Sequence, residues 1–221
     1  MRPALTTAVA FAALAISGAA LAATAANEAP VPSKAPVPAG AYSVDKAHTS
    51  LIFRVSHLGF STYTGRFTRL DAKLQFDPRK LATSKVEVTI DPRSIEADNA
   101  PSGFMQTLAG KDWLDADTFP QMSFRSRSIE VTGANTFRIH GELTLHGATK
   151  PIVLEAKYNG GYAGHTYEPN ARVGFSAKGS FQRSDFGVSY GVPAPGETFG
   201  VGDRVDVTLE TEFMGPKLAT P

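Results

Sequence analysis

Between Tyr42 and Met214 apolar residues recur at every second position through run after run, with turn residues between the runs. Successive side chains of a strand point to opposite faces, so a period of two describes strands with one face buried. Leu51, Phe53 and Val55 alternate with Ile52, Arg54 and Ser56; Leu70, Ala72, Leu74 and Phe76 alternate with Asp71, Lys73 and Gln75; Val86, Val88 and Ile90 alternate with Lys85, Glu87 and Thr89. The pattern resumes at Met122 and Phe124, then runs through Phe137, Ile139, Gly141, Leu143 and Leu145, and through Ile152, Leu154, Ala156 and Tyr158. It ends with Val173, Phe175, Ala177, Gly179 and Phe181, then Val205, Val207, Leu209, Thr211 and Phe213. Roughly eight strands are predicted.

Turn signals every ~8–12 residues and the lack of a βαβ rhythm point to an all-β barrel or sandwich. Hairpin-sized gaps favour an eight-stranded antiparallel up-and-down barrel, whose interior is filled by side chains or holds one small ligand. The parity of the apolar face changes between Phe67 and Leu70, and again between Phe124 and Ile129, so a bulge or bend is expected at each place. Ser102 to Gly110 reads as one short helix, with Ser102 as N-cap and Gly110 just past its end. Asp112, Trp113 and Leu114 would add a further helical turn before Pro120, making this segment a short helical insertion that could serve as a lid.

The N-terminus carries Arg2, an apolar run from Ala8 to Ala23 and Ala-x-Ala spacings, the pattern of a secretory signal peptide over residues 1–26. Residues 27–40 hold Pro30, Pro32, Pro36 and Pro38 and read as an extended tether, followed by a barrel over 41–214 and a tail over 215–221. Removing Arg2 with the signal leaves 21 Lys and Arg against 21 Asp and Glu, so the electrostatic footprint of a nucleic-acid binder is missing and no stable membrane insertion is expected after cleavage. The sequence contains no cysteine, which removes disulfides, thiolate nucleophiles and Cys-ligated metal. A periplasmic location is expected.

Several fragments together resemble a known family. They are Tyr42 to Ser50, Phe53 to Gly59, Gly65-Arg66-Phe67, Phe119-Pro120, Phe124-Arg125-Ser126, Gly141 to Pro151, and Arg183-Ser184-Asp185-Phe186-Gly187. In order and spacing they are similar to the YceI-like polyisoprenoid-binding proteins. The resemblance implies a lipocalin-like barrel, secreted to the periplasm, with a long apolar pore holding a polyisoprenoid or isoprenoid-quinone chain. The insertion departs from the commoner pattern, carrying Phe104-Met105-Gln106-Thr107-Leu108 in place of a charged segment.

An isoprenoid tail needs apolar area and shape rather than hydrogen bonds. The expected pore residues are Phe53, Val55, Phe67, Leu74, Phe76, Phe124, Leu143, Ala156, Phe175, Ala177, Phe181, Val207 and Leu209, with Gly141 and Gly179 as further small positions that leave room for a guest or let strands bend. Head-group donors at the mouth are sought in His48, Arg54 and Arg183, the last favoured because a guanidinium fork suits phosphate; a surface Arg183 paired with Asp185 is the alternative.

Other chemistries fit less well. His140 and His146 stand about 20 Å apart on one strand, so no metal site is expected. Gly187 to Gly191 matches Gly-x-Ser-x-Gly, but Pro193 and Pro195 follow and no histidine occurs after His165, so a hydrolase is rejected. Gly200-Val201-Gly202 reads as a turn before the last strand and not as a nucleotide site. No cofactor is expected apart from the bound lipid, and no enzymatic activity. A quinone-linked redox barrel and a filled barrel that binds a partner stay open as alternatives, as does a homodimer.

Overall fold

The computed structural model describes residues 37–165 and 167–218. The expected signal peptide and all but the end of the tether fall outside the described residues. The strands are β1 (Gly40–Val44), β2 (Ser50–His57), β3 (Ser61–Phe67), β4 (Leu70–Phe76), β5 (Lys85–Ile90), β6 (Ile95–Glu96), β7 (Met122–Val131), β8 (Thr136–Leu145), β9 (Ala148–Tyr162), β10 (Asn170–Gln182) and β11 (Val201–Lys217).

These segments make a closed, eight-stranded antiparallel barrel. The ring runs β1, β4, β5, β7, β8, β9, β10, β11 and back to β1. The other three segments continue strands of the ring: β2 follows β1 along the same edge of β11, β3 pairs with β2, and β6 pairs with β3. Three of the eight strands are therefore broken, at the 3-10 turn Lys46–His48, at Thr68-Arg69, and at the 3-10 turn Pro92–Ser94. Each break has a local cause. Asp45 accepts a hydrogen bond from Ala47 N at 3.0 Å, and Asp91 accepts one from Arg93 N at 2.8 Å, so a carboxylate caps each 3-10 turn.

Both parity changes correspond to irregularities. The first falls at the Thr68-Arg69 break, and the second at a register shift between Ser126 and Ser128 in the β7–β8 ladder. β8 and β9 are joined by His146 and Gly147, at φ 50° and 76°, the two positive values that a tight hairpin of the primed type needs.

The wall loosens at one end, called here the upper end, where β2, β6, β8 and β10 finish. The insertion connects β6 to β7 there. The β9–β10 ladder stops at Gly179 opposite Leu154, although β9 begins six residues earlier and β10 continues to Gln182. Pro151 lies in this stretch of β9, which pairs with β8 but has no partner in β10, so proline stands beside an open edge. The 3-10 turn Arg183–Phe186 packs against β9 beside the gap and buries Phe186.

Two boundaries differ from expectation. The helix α1 spans Phe104–Ala109 and ends at Gly110 as anticipated, but Gly103 precedes it in the left-handed region (φ 80°, ψ −7°) and Ser102 is not the cap. Phe104 N donates to Pro101 O at 3.0 Å, so a turn that needs glycine at its third position prevails over side-chain capping. Asp112 to Leu114 form turns without a further helical turn. β11 runs to Lys217, so residues 215–217 belong to the barrel and not to a tail.

Candidate functional site

The inward side chains do not fill the barrel evenly. In the upper half they surround a cavity of about 420 Å³, walled by aliphatic and aromatic side chains of β2, β3, β5, β7, β8, β9, β10 and β11. This volume lies in the ~300–1,000 Å³ range of small-molecule sites. In the lower half the side chains close up around a void of about 80 Å³. Val88, Phe124, Leu154 and Leu209 border both spaces and form a waist between them.

Glycine helps to shape the upper cavity. Phe53 on β2 lies over Gly65 on β3, and Phe124 on β7 lies over Gly141 on β8, each ring occupying the space a side chain on that glycine would need. Leu154 likewise occupies the place of a side chain at 179. The rings thus lie along the wall instead of projecting across the interior. This corrects the expectation that Gly141 and Gly179 leave room for a guest: their neighbours take that room.

The lower half is a packed aromatic cluster. Phe175 has ring neighbours in Tyr158 at 5.4 Å, Phe76 at 5.7 Å and Phe137 and Phe213 at 6.1 Å. Such edge-on and tilted contacts favour a filled core. Burial pushes the Tyr158 phenol up, and it pushes the neighbouring Tyr42 phenol up to about 12.

At the upper end the insertion contributes Phe104, Leu108, Trp113 and Leu114 to the cavity wall. Among the described residues, the polar side chains in that wall are those of His57, Tyr63, Arg183 and Trp113. Tyr63 meets Phe104 edge-on at 6.2 Å, and its buried hydroxyl has no hydrogen-bond partner among the described residues. Burial pushes that phenol up as well.

Arg183 is only 4% exposed, so it is not a surface residue paired with Asp185. Its Nε donates to Gly202 O at 2.9 Å, Nη1 to Val188 O at 2.8 Å and Nη2 to Val201 O at 2.7 Å, and the guanidinium lies 5.2 Å from the Trp113 ring centroid. Burial lowers its pKa, opposed by the field of Asp203, whose carboxylate accepts from Ser184 N and Oγ. Arg183 therefore clamps the segment after β10 to the start of β11 and presents one edge of a cation to the cavity.

Of the expected pore residues, Phe53, Val55, Phe67, Phe124, Leu143, Phe181, Val207 and Leu209 line the upper cavity. Leu74, Phe76, Ala156, Phe175 and Ala177 line only the lower void. Arg183 is in the upper wall, whereas the other two head-group candidates lie elsewhere. Arg54 is exposed on the outer face and donates to Thr208 Oγ1 at 3.2 Å. His48 is exposed on the Lys46–His48 turn and pairs with Asp45 at 2.9 Å. Arg54 has the parity opposite to its pore-lining neighbours Phe53 and Val55, which already places it outside.

Among the cavity-wall residues that sequence reasoning did not single out are Tyr63, Ile95, Met122, Trp113 and Val188. Tyr63 shares its parity with Gly65 and Phe67, and that signal was available. Trp113 and Val188 come from irregular segments, where no period announces them.

Asp45, His48 and Glu212 bring potential metal-ligating atoms within 4.8 Å of one another. The guanidinium of Arg172 lies among them, with Nη1 2.5 Å from Asp45 and 3.2 Å from Glu212, and Nη2 2.7 Å from Glu168. The arrangement is an ion-pair network already supplied with its cation. Hydrogen bonds from Arg172 and then His48 hold the Asp45 carboxyl down at about 2, and Asp45 in turn raises the pKa of His48.

Comparison with known proteins adds the following. The YceI-like domain model matches residues 42–213. A UPF0312 protein of Vibrio cholerae is 33% identical over 166 residues, covering 75% of this chain and 82% of the relative. A UPF0312 protein of Pseudomonas fluorescens is 38% identical over 158 residues, covering 68% of this chain and 78% of the relative. Among solved structures, BcnA of Burkholderia cenocepacia superposes with a TM-score of 0.64 at 26% identity, over 76% of this chain and 98% of that one. A polyisoprenoid binding domain from Saccharophagus degradans has the same fold, with a TM-score of 0.56 at 13% identity, over 79% of this chain and 98% of that one.

Proposed function

From the premise that this chain belongs to the YceI-like family, we propose that it is a non-enzymatic carrier that holds the tail of an isoprenoid lipid in the upper cavity of the barrel. The observation that carries this reading is an apolar cavity of about 420 Å³ inside a closed barrel, with a wall made almost entirely of hydrocarbon. At ~25 cal/mol per Å² of apolar surface buried, a few isoprene units gain several kcal/mol there before the ordering cost of the chain. The solved domain described as polyisoprenoid-binding has this fold, which supports the choice of lipid class. The filled-barrel alternative describes the lower half of the interior but leaves the upper cavity without a role.

The proposed location is the periplasm, reached by cleavage of residues 1–26, and cell fractionation tests it. The binding proposal has a built-in reporter, because Trp113 is the single tryptophan and lines the cavity. Titrating the folded protein with a short polyprenol should change Trp113 emission saturably, at one lipid per barrel. An emission spectrum that never saturates, with the lipid recovered free, would reject the carrier reading.

A further inference from the structure

The exposed aromatic rings of the barrel gather at its upper end. Among the described residues the exposed phenylalanines are Phe60, at 87%, and Phe199, at 80%, and both belong to turns there. Phe60 ends the tip of the β2–β3 hairpin, where its N donates to His57 O at 3.0 Å, and Phe199 lies just ahead of β11. The two turns are fastened together. Leu58 N donates to Gly200 O at 2.8 Å, and a side chain on Gly59 would meet Thr198 at 3.1 Å. A third exposed ring, Tyr190 at 58%, is drawn in beside them, because Val201 N donates to Gly191 O at 2.8 Å.

These rings edge the upper cavity. Phe60 stands between His57 and Tyr63 in the chain, Tyr190 just after Val188 and Phe199 just before Val201, and those four neighbours line the cavity wall. The turns carry almost no charge: no Asp, Glu, Lys or Arg occurs from Val55 to Gly65, and Glu197 alone occurs from Phe186 to Gly202. Even the hairpin tip is apolar, with Leu58 at φ 55° where asparagine is the usual residue.

A protein partner of ordinary stability covers ~800 Å² on each side and is held in register by a rim of hydrogen bonds. The three rings offer roughly half of that area, on separate turn tips. A lipid bilayer demands no matching shape and no matching charge, and aromatic side chains favour its headgroup boundary. It is also the medium in which a lipid guest is dissolved.

We propose that Phe60, Tyr190 and Phe199 form a docking rim that sets the upper end of the barrel reversibly on a lipid bilayer without net charge, so that a lipid guest passes between bilayer and cavity without crossing water. The rim rests on the carrier reading for its purpose and not for its geometry.

Flotation with phosphatidylcholine vesicles tests this on protein purified after export, without residues 1–26, whose apolar run would bind vesicles by itself. The wild type is compared with Phe60→Ser, Phe199→Ser and, as a control at the lower end, Tyr167→Ser, whose ring is 94% exposed in the β9–β10 loop. The wild type should float, and high salt should not weaken it, since screening acts on charge alone. Phe60→Ser and Phe199→Ser should each cost roughly tenfold in partitioning, as the loss of one ring from an apolar medium predicts. Tyr167→Ser should cost nothing. The substituted side chains are exposed, so unfolding temperatures should match the wild type. By Trp113 emission, the two phenylalanine variants should bind a short prenyl alcohol from solution as the wild type does, yet take up a long one from vesicles more slowly.

Failure of the wild type to float, equal flotation of all four proteins, an equal loss in Tyr167→Ser, or binding abolished by salt would overturn the docking rim. So would a wild-type dimer that the phenylalanine substitutions dissociate, which would give the rim to a second copy of the chain. In each of these outcomes uptake of the short prenyl alcohol keeps the cavity a lipid site. Flotation of a wild type that takes up neither alcohol would leave the rim standing and remove the carrier reading instead.

Discussion

The ring of Phe124 on β7 lies over Gly141 on the adjacent strand β8, in the space that a side chain at 141 would occupy. This contact holds one side of the waist between the cavity and the packed lower core. Gly141→Ala must drive the ring inward or move the β7 backbone at Arg125, so it is expected to cost about 1–3 kcal/mol, as overpacking does. Urea unfolding measures this, and lipid stoichiometry should fall if the ring moves inward. An unchanged midpoint would show that the ring is free to rotate away.

The waist should set how long a tail the barrel accepts. Leu209→Ala removes side-chain volume between the two compartments and joins them, at a stability cost of about 2 kcal/mol, the low end for a leucine truncation, because Leu209 is half-buried. Binding by a polyprenol series should then improve for tails longer than the wild type prefers. Affinities that rise with tail length identically in both proteins would mean that the tail leaves the barrel by another route.

Arg183 is expected to matter first for folding. Truncation to Ala leaves three carbonyls, of Val188, Val201 and Gly202, without their charged donor, and hydrogen bonds to charged groups contribute roughly 1.5–3 kcal/mol each. A loss of about 3 kcal/mol or more is predicted in chemical unfolding, against less than about 0.5 kcal/mol for an exposed arginine such as Arg79. A full-stability Arg183→Ala protein would contradict the clamp.

The Asp45 network gives the fold a pH dependence of known sign. Asp45 titrates at about 2 in the folded chain, below its ordinary 3.8, so its contribution is present above that ordinary value and is lost as pH falls through 2. A shift of this size corresponds to about 2 kcal/mol. His48 is shifted upward by Asp45, so its smaller contribution is complete below its ordinary 6.5 and fades as pH rises past its folded value. Stability measured between pH 2 and 8 should therefore decline at both ends, and Asp45→Asn should flatten both limbs. Identical profiles for the two proteins would refute the assignment.

How far the sequence foretold this structure depends on where its regularities stop. Alternation placed the strands, and the parity changes at Phe67/Leu70 and Phe124/Ile129 marked bends that recur as the Thr68-Arg69 break and the Ser126/Ser128 shift. Alternation only sorts residues inward or outward. It does not say which inward residues meet across a closed barrel, so Phe53 on the cavity wall and Phe175 in a ring cluster look alike in sequence. A charged substitution at Phe175 is accordingly expected to disrupt folding before it weakens any ligand. Arg183 was identifiable as unusual, but its partners are backbone carbonyls 5 to 19 residues away, and no side-chain pattern encodes those. Tyr63 was readable by parity, whereas its lack of a partner is a property of the folded wall alone.

The most direct test of the central claim is to isolate the protein from its native cells without detergent, extract it with organic solvent and weigh what it carried by mass spectrometry, beside a matched control protein. The account predicts close to one isoprenoid lipid per chain. A clean extract from fully folded protein that also takes up no added prenyl lipid would contradict it.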